Sequence, residues 1–282
     1  MHIGIVGLGL IGGSIAKAIG AYTTHRVFAY DLDAGVLEEA LSRGVVDRRL
    51  TRDNIGRCDV LILAVYPGAC ISFVREHASM IDRDAIVVDC CGVKGIVCDA
   101  LEPLAREKGF TFIGCHPMAG LHMSGFAYAT ADLFQKASFV MCPGDDVPYG
   151  KVKRISELFR SIGFTNIQMS TPQEHDVIIA YTSQLCHIVS NCFVKNEAAS
   201  IHSGFSAGSY RDLTRVAKLN EQMWTELFLD NRENLLSQLD EYISNLVKYQ
   251  KALAAEDRDT LKALLREGRE RKEAIDGDSY RN

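Results

Sequence analysis

A histidine and a proline directly follow an apolar run in "FTFIGCHPMAG", around His116. Histidine has a reference pKa of about 6.5, so a neutral imidazole accepts a proton at physiological pH. The run "FTFIGC" predicts a buried strand, and in open parallel sheets ligands bind beyond the carboxyl ends of the strands. His116 falls at such a place, where a base can remove a hydroxyl proton while hydride leaves the same carbon. Position alone also allows a purely structural histidine at a strand end.

A glycine-rich turn gives a second candidate for chemistry. "GLGLIG" has G-x-G-x-x-G spacing directly after one predicted strand and at the start of a helix. Gly7 permits a tight turn, Gly9 lets the backbone approach a pyrophosphate, and Gly12 lets the helix pack closely on the strand. Unfilled N–H groups at the helix start favour the diphosphate. The predicted cofactor-binding residues are Gly7, Gly9, Leu10, Ile11, Gly12 and Asp31.

Asp31 decides which dinucleotide the turn favours. It ends the second predicted strand, 19 residues after Gly12. A carboxylate there accepts from both ribose hydroxyls and repels a 2′-phosphate, and Asp33 lies close by with no arginine following. The sequence therefore predicts NAD rather than NADP. A packing turn without a cofactor and an FAD site are the alternatives.

The elements that must position these residues alternate along the first half of the chain. Short β-branched runs predict strands at "HIGIV", "RVFAY", "VLILAV", "AIVVD" and "FTFIGC", with "SFVMC" and "TNIQM" as further candidates. Amphipathic stretches between them predict helices at 11–20, 34–43, 69–80, 95–108 and about 150–162. This alternation is typical of βαβ units on a parallel sheet, so an α/β, Rossmann-like parallel-sheet domain is expected over residues 1–170.

The pattern changes near residue 170. In "STPQEHD", Thr171 is a predicted N-cap, Pro172 takes the first helical position and Glu174 the capping-box position. Helical periodicity dominates beyond this point, so residues 171–282 are expected to form an all-helical domain. The stretch 177–194 contains no Lys, Arg, Asp or Glu, but it is too polar for a lipid span. We expect it to be a helix buried inside protein.

The composition excludes several classes of function. The chain has 282 residues, 47% of them hydrophobic and 24% charged, with a formal net charge of −5. This balance gives no electrostatic reason to expect nucleic acid or an anionic membrane as partner. Nine cysteines without a C-x-x-C motif suggest neither a disulfide framework nor a zinc site. No secretory signal is evident at the N-terminus, and a cytoplasmic location is expected.

Three motifs together resemble one enzyme family. "GLGLIGGSIA", "CHPMAG" and "SYRDLTRVAKLNEQMW" are similar to the prephenate/arogenate dehydrogenases, the TyrA-type enzymes of tyrosine biosynthesis. The similarity spans nearly the whole chain, and H-P-M-A-G is its most specific element. It implies NAD-dependent oxidative decarboxylation of prephenate to 4-hydroxyphenylpyruvate, or of arogenate to tyrosine.

The resemblance also assigns functions to individual residues. His116 matches the family histidine that polarises or deprotonates the ring hydroxyl, and Arg215 matches the arginine that binds the ring carboxylate. Without the family, a helix pair between Arg215 and Asp212 would be the preferred interpretation. His187 matches the second histidine of the S-H-L-P-H segment, near the substrate, and Trp224 matches the M-W tryptophan that packs by the site.

The chain departs from the family pattern at three places. Gly92 stands where the family often has a serine that touches substrate and cofactor. Gln184 replaces the first histidine of S-H-L-P-H and stays a substrate-binding candidate, while Cys186 replaces the proline. His122, in "AGLHMSG", either contacts the substrate side chain or is solvated. None of these departures removes the proposed base or the carboxylate arginine.

Two further residues and the assembly complete the expectations. His175 matches a family position, and Lys94 is expected to be solvated or paired at a domain edge. The uncharged stretch 177–194 predicts a homodimer through the helical domain. The charged helical end leaves no length for a regulatory module, so tyrosine feedback would act at the active site. Another two-domain NAD(P) dehydrogenase or a non-catalytic NAD-binding sensor are the competing interpretations.

Overall fold

A computed structural model describes residues 1–121 and 123–279, so the predicted substrate contact of His122 lies outside the described residues. The structure is built around one eight-stranded sheet, with strand order β3-β2-β1-β4-β5-β6-β7-β8. The strands are β1 His2–Val6, β2 Arg26–Tyr30, β3 Arg48–Arg49, β4 Val60–Leu63, β5 Ile86–Asp89, β6 Thr111–Met118, β7 Ser138–Pro143 and β8 Asn166–Met169. The seven predicted strands are all present. Strand β3 was missed because two adjacent arginines carry no strand pattern.

The sheet is mostly parallel, as predicted, with one reversal. Strands β3 through β6 all pair in parallel, whereas β7 pairs antiparallel with β6 and β8 runs parallel to β7. A parallel pair needs a crossover, usually a helix. Among the described residues that connect β6 to β7, the only helical element is the 3-10 turn Phe126–Tyr128, so the chain simply turns back. The predicted parallel sheet is thus confirmed, with β7 and β8 running opposite to the six parallel strands.

Five helices alternate with the strands and cover both faces of the sheet, and among the described residues six further helices come after the last strand in the sequence. The helices are α1 Leu10–Tyr22, α2 Ala34–Ser42, α3 Pro67–His77, α4 Gly95–Lys108, α5 Tyr149–Ser161, α6 Pro172–Ile179, α7 Cys186–Phe193, α8 Gly208–Thr214, α9 Glu221–Asp230, α10 Arg232–Ala254 and α11 Arg258–Ser279. The predicted start of α6 is confirmed: the Thr171 hydroxyl accepts from the Glu174 N–H while the Glu174 carboxylate accepts from the Thr171 N–H.

Alternating strand residues separate the core into two layers. Ile3 and Ile5 of β1 face helices α1, α2 and α5, while Val6 faces the opposite layer with α3 and α4. Strand β4 alternates in the same way, with Ile62 on the first face and Leu63 on the second. A sheet buried on both faces is what a parallel α/β arrangement requires, and it leaves the strand ends as the place for a ligand site.

The chain divides into two compact units, Met1–Arg232 and Glu233–Asn282. The first unit contains the sheet and helices α1 to α9. The second unit consists of most of α10 and the whole of α11. No helix among the described residues is long and apolar enough to cross a membrane.

The uncharged stretch 177–194 is not one regular helix. A π-helical turn at Ala180–Leu185 separates α6 from α7. One face of the stretch 177–194 is buried, at residues such as Ile179, whereas Ile178 and Tyr181 are exposed in the single chain. The expectation of burial is thus met by one face only.

Candidate active site

The glycine turn between β1 and α1 has the geometry of an anion site. Gly7 has a φ of +89°, and a Cβ on Gly12 would lie 1.9 Å from the carbonyl oxygen of Gly7. A Cβ on Gly9 would meet nothing within 4 Å, so the space above this residue is open. Helix α1 begins at Leu10 and Ile11 without a side-chain cap, which leaves the first N–H groups directed at that space.

Asp31 lies immediately beyond β2, beside the glycine turn. Its carboxylate accepts hydrogen bonds from the backbone N–H of Leu8 at 2.6 Å and of Asp33 at 2.8 Å. Asp33 is the N-cap of α2, where it accepts from the Gly35 N–H at 2.8 Å. Asp31 is therefore held in place by the turn itself. The Asp33 side chain caps helix α2 and is not directed at the space above Gly9.

His116 lies inside β6 rather than after it. The pairing of β5 with β6 ends at Val88 opposite Ile113, but β6 continues to Met118 alongside β7, with His116 opposite Val140. The antiparallel partner extends the strand past its parallel neighbour. His116 thus stands beyond the carboxyl end of β5, at the same edge of the sheet as the glycine turn, and it is half-buried.

The ring of His116 is hydrogen-bonded to a second histidine. Its Nδ1 lies 2.9 Å from Nε2 of His175, which is only 3% exposed. Nδ1 of His175 lies 2.7 Å from the carboxylate of Asp176. That carboxylate also accepts from the backbone N–H groups of Lys94 and Gly95, each at 2.7 Å, at the start of α4. The arrangement is a His–His–Asp chain anchored on a helix N-terminus.

Lys94 is fully buried, so the expectation that it is solvated is wrong, whereas the expected pairing is present. Its ammonium forms an ion pair with Asp89, also fully buried, and donates to the carbonyl oxygen of Cys115 at 2.6 Å. Asp89 in turn accepts from the N–H groups of Cys91 and Cys115. Burial disfavours the ammonium, but the Asp89 carboxylate outweighs it and raises the pKa of Lys94.

These surroundings keep His116 neutral. Burial, followed by the neighbouring His175 and the positive charge of Lys94, holds the pKa of His116 well below its ordinary value. A neutral imidazole at physiological pH can accept a proton. Its Nδ1 is bonded to His175, and Nε2 makes no hydrogen bond within residues 1–121 and 123–279.

A second group of predicted residues meets on the helices. The rings of His187 and Trp224 lie 4.0 Å apart between centroids, and Nδ1 of His187 bonds the carbonyl oxygen of Ser183 at 2.8 Å. Burial lowers the pKa of His187, the bond to Ser183 opposes this, and the nearby charge of Arg215 lowers it further. Arg215 is exposed at the end of α8, and in the described structure it forms no ion pair with Asp212.

The amide of Gln184 is already bonded to protein. Gln184 is 1% exposed, its Nε2 donates to the Leu227 carbonyl at 2.9 Å, and its Oε1 accepts from Asn231 at 2.8 Å. Asn231 also donates to the carbonyl of Asp176 at 2.8 Å. This bridge connects the histidine chain to the helices that carry His187, and because only 1% of Gln184 is exposed, little of its surface is left for a substrate.

Gly92 faces helix α9. A Cβ at this position would lie 3.4 Å from both methyl groups of Leu227. The space beside the residue therefore borders an apolar side chain.

The sequence motifs pointed to His116, the glycine turn and the His187 group as candidates, but no motif pointed to Asp89, Asp176 or Asn231. The only signal for Asp176 was its place in the capping-box segment "STPQEHD". The burial of Asp89 and Lys94 has no local signal, because both residue types are usually exposed.

Comparison with known proteins gives matches over most of the chain. The family described as "Prephenate dehydrogenase, nucleotide-binding domain" matches residues 15–167, and "Prephenate dehydrogenase, dimerization domain" matches residues 171–267. Prephenate dehydrogenase of Bacillus subtilis is 30% identical over 266 residues, covering 91% of this chain and 71% of the relative. Cyclohexadienyl dehydrogenase of Zymomonas mobilis is 29% identical, covering 98% and 97%.

A solved structure has the same fold. Prephenate dehydrogenase from A. aeolicus, crystallised with hydroxyphenyl propionate and NAD+, superimposes with a TM-score of 0.84 at 24% identity, covering 98% of each chain.

Proposed function

Because the chain belongs to the prephenate dehydrogenase family, we propose that it catalyses the NAD-dependent oxidative decarboxylation of prephenate to 4-hydroxyphenylpyruvate, CO2 and NADH, a reaction of tyrosine biosynthesis. The observation that carries the proposal is the position of His116. It stands at the same sheet edge as the glycine turn, with one ring nitrogen held at 2.9 Å by His175. A base at that edge lies where a dinucleotide on the turn directs its reactive ring.

The cofactor site fits NAD. The open space above Gly9 and the uncapped start of α1 suit a diphosphate, and Asp31 suits the ribose hydroxyls. The proposed binding set is Gly7, Gly9, Leu10, Ile11, Gly12 and Asp31. When bound, NAD accepts the hydride that leaves the substrate ring.

His116 is the proposed proton acceptor. Its neutral ring takes the proton of the ring hydroxyl as the C–H bond breaks, and a general base of this kind contributes roughly 10²–10⁴-fold to the rate. Loss of CO2 restores an aromatic ring, so the remaining task of the protein is to orient the substrate and hold its carboxylates.

Arg215 is proposed to bind the ring carboxylate through its planar guanidinium, which suits a carboxylate better than a lysine does. The His187–Trp224 pair supplies a ring surface beside it. His122 and Gln184 complete the proposed substrate contacts.

We also propose a homodimer through the helical part, with residues 1–170 binding NAD and residues 171–282 forming the dimer. Residues 171–267 match a dimerization domain, and Ile178, Tyr181 and Phe193 expose apolar surface in the single chain. The nine free cysteines suit a reducing cytoplasm. A small-molecule substrate is the proposed ligand, with neither nucleic acid nor membrane as partner.

The test measures NADH formation with purified protein and NAD, offering prephenate and arogenate separately. We expect turnover with prephenate that is lost in His116→Asn while NAD binding persists. His2→Asn, at the exposed opposite end of β1, is the matched control and should retain full activity. Turnover with arogenate alone would change the substrate, and NAD binding without turnover on either compound would favour a sensor.

A further inference from the structure

The bonds around Asp176 determine which atom of His175 carries a proton. Oδ1 of Asp176 faces the N–H of Lys94 and Nδ1 of His175, and Oδ2 faces the N–H of Gly95, each at 2.7 Å. Both backbone groups are obligatory donors, so the two oxygens act as acceptors. Nδ1 of His175 must therefore be the donor to Oδ1.

That assignment passes along the chain to His116. In a neutral imidazole one nitrogen donates and the other accepts. Since Nδ1 of His175 donates to Asp176, its Nε2 is the acceptor and receives the hydrogen bond from His116 at 2.9 Å. The proton of His116 is then on Nδ1, and its Nε2 keeps the lone pair.

A charged His175 would reverse this outcome. Its Nε2 would then donate to His116, whose own proton would move to Nε2 and block it as an acceptor. The charged and titratable groups around the pair are Asp176 and, beyond it, Asp230 on α9, together with the buried ion pair of Lys94 and Asp89. The neutral form is the one that leaves His116 able to accept a proton.

We infer that His175 is a positioning residue that holds His116 in the tautomer with its proton on Nδ1 and its free lone pair on Nε2. The inference rests on the proposed function, in which Nε2 of His116 removes the ring hydroxyl proton. His175 is the only side chain of the described residues that is hydrogen-bonded to the His116 ring. Ring orientation and protonation state are thereby set by one contact.

The same contact serves the reaction step. The O–H bond of the substrate breaks, the proton moves to Nε2 of His116, and the ring becomes an imidazolium. Its Nδ1–H continues to donate to His175, whose own Nδ1–H faces the Asp176 carboxylate at 2.7 Å. The positive charge is thus compensated through His175 without any rearrangement. Loss of CO2 places the electron pair of the broken C–C bond on the ring oxygen, and the proton on Nε2 returns to that oxygen to give the phenol of the product.

The first arm of the test reads the tautomer directly, without turnover. Full-length protein labelled with ¹⁵N-histidine is studied by NMR without substrate or cofactor, and the His116 signals are assigned by their loss in His116→Asn. We expect a protonated Nδ1 and an unprotonated Nε2. A protonated Nε2 in the neutral wild-type ring would overturn the inference.

The second arm uses two substitutions of His175. His175→Leu removes the acceptor, so we expect kcat to fall about 10- to 100-fold with the KM for NAD within about twofold, and both His116 tautomers to appear. His175→Gln places an amide oxygen near the former Nε2 and should restore most of kcat. An unchanged kcat and tautomer in His175→Leu would overturn the inference. If the leucine variant does not fold, the wild-type spectrum and His175→Gln still decide.

The two arms separate this inference from the proposed function. Wild-type protein that shows the expected tautomer but turns over neither prephenate nor arogenate would refute the proposed reaction and leave the positioning of His116 by His175 supported. Turnover combined with a protonated Nε2 would do the reverse.

Discussion

The ammonium of Lys94 donates a hydrogen bond to the carbonyl oxygen of Cys115, the residue before His116, at 2.6 Å. The backbone N–H of Lys94 meanwhile bonds Asp176, which holds His175. One buried lysine therefore fixes the backbone that carries His116 and, through two further residues, its ring. The proton acceptor is supported from two sides by the same turn at the start of α4.

Lys94→Met should destabilise the protein strongly. It leaves the buried Asp89 carboxylate without its cation, and breaking a buried ion pair in this way costs about 3–5 kcal/mol. The measurement is the free energy of unfolding by urea denaturation. Lys153→Met is the matched control, because Lys153 pairs with Glu157 at 3.7 Å on an exposed helix face and should change stability by less than about 1 kcal/mol. A loss as small as that for Lys94→Met would show that the pair is dispensable.

The acid limb of kcat/KM should lie well below pH 6.5. His116 must be neutral to accept a proton, so activity falls as the pH falls through its pKa. Burial, His175 and Lys94 hold that pKa well below the ordinary value of about 6.5. The rate should therefore still be at its plateau at pH 6.5. Half-maximal activity at or above this pH would contradict the assignment, and the residual rate of His116→Asn should lack the limb.

Structural features that depend on residues close together in the sequence were predictable. The glycine turn depends on spacing within six residues, and the capping box of Thr171 and Glu174 on spacing within four, so each carries its own signal. The alternation of apolar residues likewise predicted the strands of the parallel part, because each is buried on both faces.

Features that depend on distant partners were not predictable. His175 contacts His116 across 59 positions, and Lys94 is buried only because Asp89 and the Cys115 carbonyl meet its ammonium there. From the sequence alone, a lysine between two glycines, such as Lys94, is expected to be exposed to solvent. The antiparallel direction of β7 likewise depends on how the segment between β6 and β7 folds back. The residue pattern of "SFVMC" predicts a strand but not its direction.

A substitution at Gly9 of the glycine turn should weaken NAD binding without destabilising the fold. Gly9→Ala places a Cβ in open space, so stability should change by less than about 1 kcal/mol while the Kd for NAD rises at least about tenfold, because the methyl group occupies the approach of the diphosphate. Gly20→Ala, in the exposed part of α1, should stabilise by about 0.5–1 kcal/mol and leave NAD binding unchanged. Calorimetric titration and thermal unfolding check both variants, and unchanged NAD affinity in Gly9→Ala would place the diphosphate elsewhere.

Arg215→Gln should weaken substrate binding specifically. Loss of a charged hydrogen bond to a carboxylate costs about 1.5–3 kcal/mol, so we expect kcat/KM to fall roughly 10- to 150-fold with the Kd for NAD unchanged. The nearby charge of Arg215 also lowers the pKa of His187, which should rise in the variant when followed by NMR titration. Arg211→Gln, at an exposed position of the same helix, is the control and should leave both quantities unchanged. A rise in the pKa of His187 without any change in kcat/KM would mean that Arg215 lies beside His187 but does not bind the substrate.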